Sequence, residues 1–182
     1  MNLVVTISGL HGTGKTTYAR MLAKDFGLRH ISAGELFRRI AGERGISIAE
    51  FSRIASRNQE IDKIIDEQTK KGAEAGSVII DGLLASWIAG DLANIKVHLV
   101  APEKIRISRI ARRDGIPYKE AKKITLLRER IERERFKRVY NIDIDDKSIY
   151  DLALNTGLLS LEANVEVIRK FIQEYTKSYG GR

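Results

Sequence analysis

Cysteine is absent from the 182 residues, which excludes disulfides, thiolate metal sites and cysteine nucleophiles. No apolar run is long enough to cross a membrane. The sequence opens directly on a strand-like segment, so neither a signal nor a transit peptide is expected, and a cytoplasmic protein is the simplest expectation. Aromatic residues make up 7% and are sparse around the arginine cluster from Arg106 to Arg138, a poor stacking surface for single-stranded nucleic acid. Two further segments are missing: there is no N-K-x-D and no D-x-x-G, the stretches with which GTP switches read guanine and sense the γ-phosphate. No internal repeat or low-complexity stretch is found. Positive charge, by contrast, is plentiful, with a net charge of +8. Such an excess suits nucleic acid or small phosphorylated ligands. The scarcity of aromatics favours the small ligands, and no nucleic-acid partner is expected. At this length one domain with small lobes is expected.

What is there begins with Gly9-Leu10-His11-Gly12-Thr13-Gly14-Lys15-Thr16, which matches G-x-x-x-x-G-K-[ST], the P-loop. Leu3, Val4, Val5 and Ile7 before it read as a buried strand. Ala19, Leu22, Ala23 and Phe26 after it recur at helical spacing, and Gly27 is placed to cap that helix. Strand, glycine loop and helix form the context the motif needs. Backbone N–H groups turn inward around a phosphate there, and the helix N-terminus adds partial positive charge. Lys15 is placed to reach the β- and γ-phosphates, and the Thr16 hydroxyl to ligate Mg²⁺.

Further along, Arg29 to Ser32 reads as a short strand, and Ser32 with Glu35 forms a capping box. Ser47 with Glu50 forms a second. Ile61, Ile64 and Ile65 mark another helix ending near Gly72 or Gly76, so residues 35–72 read as a helical insertion between strands. Ser77 to Gly82 reads as a buried strand ending in the carboxylate of Asp81, like a Walker B strand, whose acid can hold Mg²⁺ directly or through water. Lys96 to Val100 is a fourth strand, with His98 expected to be structural. Pro102 and Pro117 each open a helix. Ala121, Ile124, Leu127 and Ile131 predict the apolar face of a helix through Arg128-Glu129-Arg130-Ile131-Glu132-Arg133-Glu134-Arg135, where i,i+4 pairs such as Arg128–Glu132 and Arg130–Glu134 alone would support an exposed helix. Asp151 to Asn155 is a fifth strand, a closing amphipathic helix follows, and the tail from Lys177 to Arg182 is expected to be loose. Strands alternating with helices predict an α/β, doubly wound P-loop NTPase fold. Its ligands should collect at the carboxyl ends of the strands.

A chain that moves a phosphoryl group needs a second anion site and a cationic cover that excludes water. Arg38, after the second strand, is placed for the acceptor phosphate, and the arginine-rich segment for the cover. The P-loop, Ser32-Ala33-Gly34-Glu35-Leu36-Phe37-Arg38 and Asp81-Gly82 resemble the nucleoside monophosphate kinases. The long Arg/Glu helix and Tyr140-Asn141-Ile142-Asp143-Ile144-Asp145-Asp146 resemble the archaeal type of cytidylate kinase, and the similarity covers nearly the whole chain.

The resemblance implies a five-stranded parallel sheet and three parts: a core of 1–34, 73–108 and 150–182, an acceptor-binding insertion of about 35–72, and a LID of about 109–149. It implies γ-phosphoryl transfer from ATP, with Mg²⁺, to CMP and dCMP by a monomer; the alternatives are UMP or AMP kinase chemistry and, ranked last, a nucleic-acid-binding NTPase. ATP would contact Gly9, Leu10, His11, Gly12, Thr13, Gly14, Lys15, Thr16 and Thr17. Ser32, Gly34, Arg38, Asp81, Arg130 and Glu134 would hold the acceptor, Thr16 and Asp81 the metal. Lys15, Arg38, Arg109, Arg113 and Arg130 would act on the phosphates, with Lys137 or Arg138 as a further LID cation. Leu83 departs from the family, which carries an arginine after the Walker B-like acid. Gln59, Asp62, Asp66 and Gln68 are the polar candidates for reading the base.

Overall fold

The structure, a computed structural model, describes residues 2–179. Its centre is a fully buried strand, β1 (Val4–Ser8). Parallel to it run β2 (Arg29–Ser32), β3 (Val78–Asp81), β4 (Ile95–Val100) and β5 (Leu152–Asn155), in the order β2-β3-β1-β4-β5. Val, Ile and Leu dominate β1, β3 and β4 because both faces of these strands are covered. On one face α1 (Lys15–Phe26) and α8 (Leu161–Tyr179) bring Ala19, Leu22, Val165, Ile168 and Ile172 against Val5, Ile7, Val97 and Leu99. On the other, the short α5 (Ala85–Ala89) and the end of α4 (Gln59–Glu74) cover Val4, Val78 and Ile80.

The predicted insertion is three helices: α2 (Ala33–Glu43), α3 (Ile48–Ala55) and α4. They close on their own small core of Phe37, Ala41, Phe51, Ala55 and Ile61, in which Phe37 and Phe51 lie 4.6 Å apart. Both expected caps form: the Ser32 hydroxyl accepts from the Glu35 N–H at 3.3 Å, and Ser47 from Glu50 at 3.2 Å. A helical hairpin follows β4. Its arms, α6 (Glu103–Asp114) and α7 (Tyr118–Tyr140), start just after Pro102 and Pro117 and pack through Ile107, Ile110 and Ala121.

Register gathers the site. Ile7 and Ser32 both pair with Asp81, Ser8 with His98, and Val100 with Asn155. The carboxyl ends of all five strands therefore open on one edge of the sheet, the edge on which open α/β sheets place ligands. His98 is buried, its ring 4.5 Å from that of Tyr150, and burial pushes its pKa down to about 4, so it is neutral. The closing helix runs to Tyr179, so the tail is helical over its first residues; residues 180–182 lie outside the described residues. Among the described residues no helix is long and apolar enough to cross a membrane.

Candidate active site

The P-loop bridges β1 and α1 and folds back on itself. Lys15 Nζ donates to the Leu10 carbonyl at 3.0 Å and Thr13 Oγ1 to the same oxygen at 2.9 Å. Gly12, at φ +80°, sits so close to α6 that a Cβ would meet the Arg106 carbonyl oxygen at 2.5 Å, so only glycine fits. Burial lowers the Lys15 pKa to about 8, Asp81 opposing it, so Lys15 holds its charge at neutral pH.

Asp81, at the end of β3, is 1% exposed and heavily bonded. Thr16 Oγ1 donates to its Oδ2 at 2.9 Å and Ser32 Oγ at 3.1 Å, while His30 Nε2 lies 2.7 Å from Oδ1. The P-loop threonine, the cap of α2 and the carboxylate of β3 thus meet at one point. These are hard oxygen donors of the kind Mg²⁺ takes, and such ions complete their shell with water and phosphate oxygens. Among the described residues there is no group of three or more His, Asp or Glu placed for a metal.

In front of this corner lies a cavity of about 730 Å³ between the P-loop, α2, α4 and the hairpin. Lys15, Arg38, Arg109, Arg113 and Arg128 line it. Burial, with Arg113 and Arg128 nearby, pushes the Arg38 guanidinium below its ordinary value. Among the described residues no hydrogen bond engages that guanidinium, so a cation stands open to an anion. Arg109 is half-buried and engaged: it donates to the Thr156 carbonyl at 2.8 Å and hydroxyl at 3.0 Å, and the same hydroxyl donates to the Thr13 carbonyl at 3.0 Å. Arg113 is exposed and pairs with Asp114 at 2.6 Å.

The inward face of α7 carries charge where the apolar periodicity predicts an apolar stripe. Its buried residues are Ala121, Thr125, Glu129, Glu132, Arg135 and Phe136. Arg106 reaches across from α6 to pair with Glu129 at 2.5 Å and to donate to the His11 carbonyl at 2.7 Å. Glu132 accepts from Arg128 Nε at 2.8 Å and lies 2.6 Å from His11 Nε2. Burial alone would raise the Glu132 carboxyl, but Arg128 and His11 override it and hold it well below the usual carboxylate range. Burial, helped by Arg128, pushes His11 down to about 4. The contact is therefore a neutral imidazole N–H donating to a carboxylate.

The structure brings together most residues the sequence nominates. Gly9 to Thr17 form the loop and the start of α1, with Gly34, Arg38 and Asp81 facing the same cavity and Ser32 bonded to Asp81 behind it; Arg109 and Arg113 stand on its hairpin side. Arg130 and Glu134 it does not bring in: both are exposed and lie off the cavity lining. Lys137 and Arg138 are likewise exposed, the latter donating to the Ser56 carbonyl at 2.7 Å. The inward positions are Arg128, Glu132 and Arg135, spaced i, i+4, i+7 on one helix face, whereas Arg130 stands about 200° around the helix from Arg128. Leu83 lines the cavity with Leu84, and Trp87 packs behind them near Phe136. The interhelical pair Arg106–Glu129 was not legible, because its partners lie on different helices.

A strand–loop–helix phosphate cradle, a carboxylate on the neighbouring strand and a ring of arginines define a P-loop kinase type of site. Solved structures agree at the level of fold. An uncharacterized protein from Eubacterium ventriosum matches with a TM-score of 0.69 at 20% identity, covering 94% of this chain and 98% of that one. A shikimate kinase from Bacteroides thetaiotaomicron matches with a TM-score of 0.60 at 15% identity over the same shares. Among sequences, residues 4–158 match the model of the cytidylate kinase-like family. A cytidylate kinase of Staphylothermus marinus is 47% identical over 96% of this chain and 99% of its own length. One from Methanopyrus kandleri is 40% identical over 94% of each. The chain belongs to the cytidylate kinase-like family.

Proposed function

We propose that this chain transfers the γ-phosphoryl group of ATP to CMP, and to dCMP, giving CDP or dCDP and ADP. The observation that carries the reading is the convergence of Lys15, Thr16, Asp81, Arg38 and Arg128 on one cavity at the carboxyl edge of the sheet. In this reading residues 1–34, 73–108 and 150–182 are the core, 35–72 bind the acceptor, and 109–149 form the cover. The partners are the two nucleotides; neither nucleic acid nor membrane has a part, and the chain acts as a cytoplasmic monomer.

The P-loop amides and Lys15 hold the ATP phosphates, and Arg38 with Arg128 holds the acceptor phosphate. Thr16 and Asp81 would hold Mg²⁺, whose chemistry is to neutralise charge on the phosphate oxygens. An acceptor phosphate oxygen attacks the γ-phosphorus in line. The new P–O bond forms as the bond to the β-γ bridging oxygen breaks, and ADP carries away that electron pair. The acceptor is already anionic at neutral pH, so no general base is required. Catalysis is positioning and charge neutralisation in a site that Arg109, Arg113 and Arg128 screen from water.

The test is a coupled assay of diphosphate formation with ATP and Mg²⁺, offering CMP, dCMP, UMP, AMP, GMP and dTMP in parallel. A marked preference for CMP and dCMP is the expected result. Preference for another monophosphate would keep the chemistry and overturn the acceptor. No transfer to any of them, with ATP hydrolysis stimulated by nucleic acid, would overturn the reading altogether.

A further inference from the structure

The P-loop motif leaves four positions open between Gly9 and Gly14. One of them, His11, carries a side chain that bonds to the helical hairpin. Its Nε2 lies 2.6 Å from Glu132 Oε2, and the other oxygen of that carboxylate accepts from Arg128 Nε at 2.8 Å. The main chain of the same residue is held from the same side: its carbonyl accepts from Arg106 at 2.7 Å, and Arg106 pairs with Glu129. Arg128 is thereby gripped from two directions. Glu132 holds its Nε, and the ring of Phe37 on α2 has its centroid 5.1 Å from the guanidinium carbon. Among the described residues no hydrogen bond engages its two terminal nitrogens, and the side chain lines the cavity with Arg38. The arginine is aimed by a carboxylate, and the carboxylate is aimed by the P-loop.

We infer that His11 is a positioning residue: through Glu132 it sets Arg128 for the acceptor phosphate, and it thereby joins affinity for the acceptor to the state of the P-loop. The inference rests on the proposed transfer to CMP, in which Arg128 holds that phosphate. The contacts run unbroken from the loop to the guanidinium, with one carboxylate oxygen for each neighbour. Glu132 is 3% exposed, so water hardly competes for either oxygen. A long arginine left to itself samples many rotamers, and a ligand that has to order it binds more weakly; ordering it beforehand removes that cost. Phosphate seated in the loop fixes the loop, and with it the imidazole, Glu132 and Arg128. The acceptor then meets a site already formed, so each nucleotide tightens the other by the same factor. Arg38 approaches the cavity from α2 and is not part of this relay. Removing the relay therefore weakens acceptor binding and does not abolish it.

The experiment measures KM for CMP and for ATP in the wild type, His11→Ala, His11→Gln, Arg128→Ala and the double variant. Calorimetry adds CMP binding with the P-loop empty and with it filled by Mg²⁺ and the β,γ-methylene analogue of ATP. His11→Ala should raise KM for CMP by about tenfold and KM for ATP by much less. In that variant the analogue should no longer tighten CMP. The imidazole is neutral, so an amide N–H of similar reach can stand in for it, and His11→Gln should recover most of the wild-type values. Where Arg128 is already alanine, His11→Ala should change KM for CMP by less than about twofold, because the relay then ends on nothing. In case the alanine variant fails to fold, ¹⁵N NMR follows the histidine rings of the unaltered protein. CMP alone should shift the His11 Nε2 signal, assigned by its loss in His11→Gln. An unchanged KM for CMP, equal rises in both KM values, an undiminished effect without Arg128, or a His11 ring indifferent to CMP would overturn this inference and leave the kinase reading standing. A wild type that transfers to no monophosphate would overturn both.

Discussion

The two ends of the cavity are built from different materials. At the P-loop end the cavity is lined by one contiguous segment, whose Lys15 and Thr13 side chains bond back to the Leu10 carbonyl while Thr16 bonds to Asp81 on β3. At the other end it is lined by charged side chains drawn from α2, α4 and α7, such as Arg38, Asp62, Arg128 and Arg135, some of them only partly partnered. In the proposed reading the P-loop end takes the polyphosphate common to all nucleoside triphosphates, and the other end takes the acceptor through side chains drawn from three helices.

The comparison can be broken most severely at Lys15. Lys15→Ala should cut turnover by about three orders of magnitude for every acceptor alike, in the coupled assay, with the far-ultraviolet spectrum unchanged. Wild-type activity in that variant would sink the proposed mechanism. Next comes the seam between the ends. Glu132→Gln removes the carboxylate shared by His11 and Arg128 and should lower unfolding stability by about 3 kcal/mol in urea titrations, because Arg128 is left largely buried without its counter-charge. Arg38→Met separates the ends: KM for CMP should rise by roughly one to two orders of magnitude while KM for ATP stays put.

A pH profile sharpens the contrast further. Lys15 in the empty protein titrates at about 8, so kcat/KM for ATP should fall as pH rises through that value. The same depression makes the unfolded chain bind more protons between about 8 and 10.5, so the empty protein should gain stability over that window as it loses grip on ATP. A flat kcat/KM profile between pH 7 and 9 would contradict the burial assigned to this ammonium. The smallest effect is expected at the outer edge of the acceptor side. Ser47→Ala removes the cap of α3 and should cost about 1 kcal/mol in chemical denaturation without changing the order of acceptor preference.

How much was legible in the sequence follows the same division. The P-loop, the carboxylate closing β3 and both serine caps each depend on residues a few positions apart, and local spacing reveals them. The Asp62–Arg135 pair joins residues from two helices that meet only in the fold, so Asp62 was visible as one polar candidate among four and Arg135 as none. The rotation of α7 was misread for a particular reason. Periodicity locates a buried face by its apolar residues, and here that face holds Glu129, Glu132 and Arg135, whose charges are met by Arg106, Arg128 and Asp62. The apolar run Ala121, Ile124, Leu127 and Ile131 does not report that charged face, and the resemblance nominates Arg130 and Glu134, two positions along from the inward Arg128 and Glu132. The short helix α5 follows Gly82-Leu83-Leu84 with no capping side chain, so nothing local announced it.

Thr156 has a mechanical consequence. Its hydroxyl donates to the Thr13 carbonyl and accepts from Arg109, while its backbone N–H is bonded to the Val100 carbonyl at 2.8 Å. The loop, the end of β4 and the root of α6 are bolted together at one residue that is 1% exposed. One buried hydroxyl thus sets the spacing between the phosphate-binding loop and α6, so a change on either side is felt on the other.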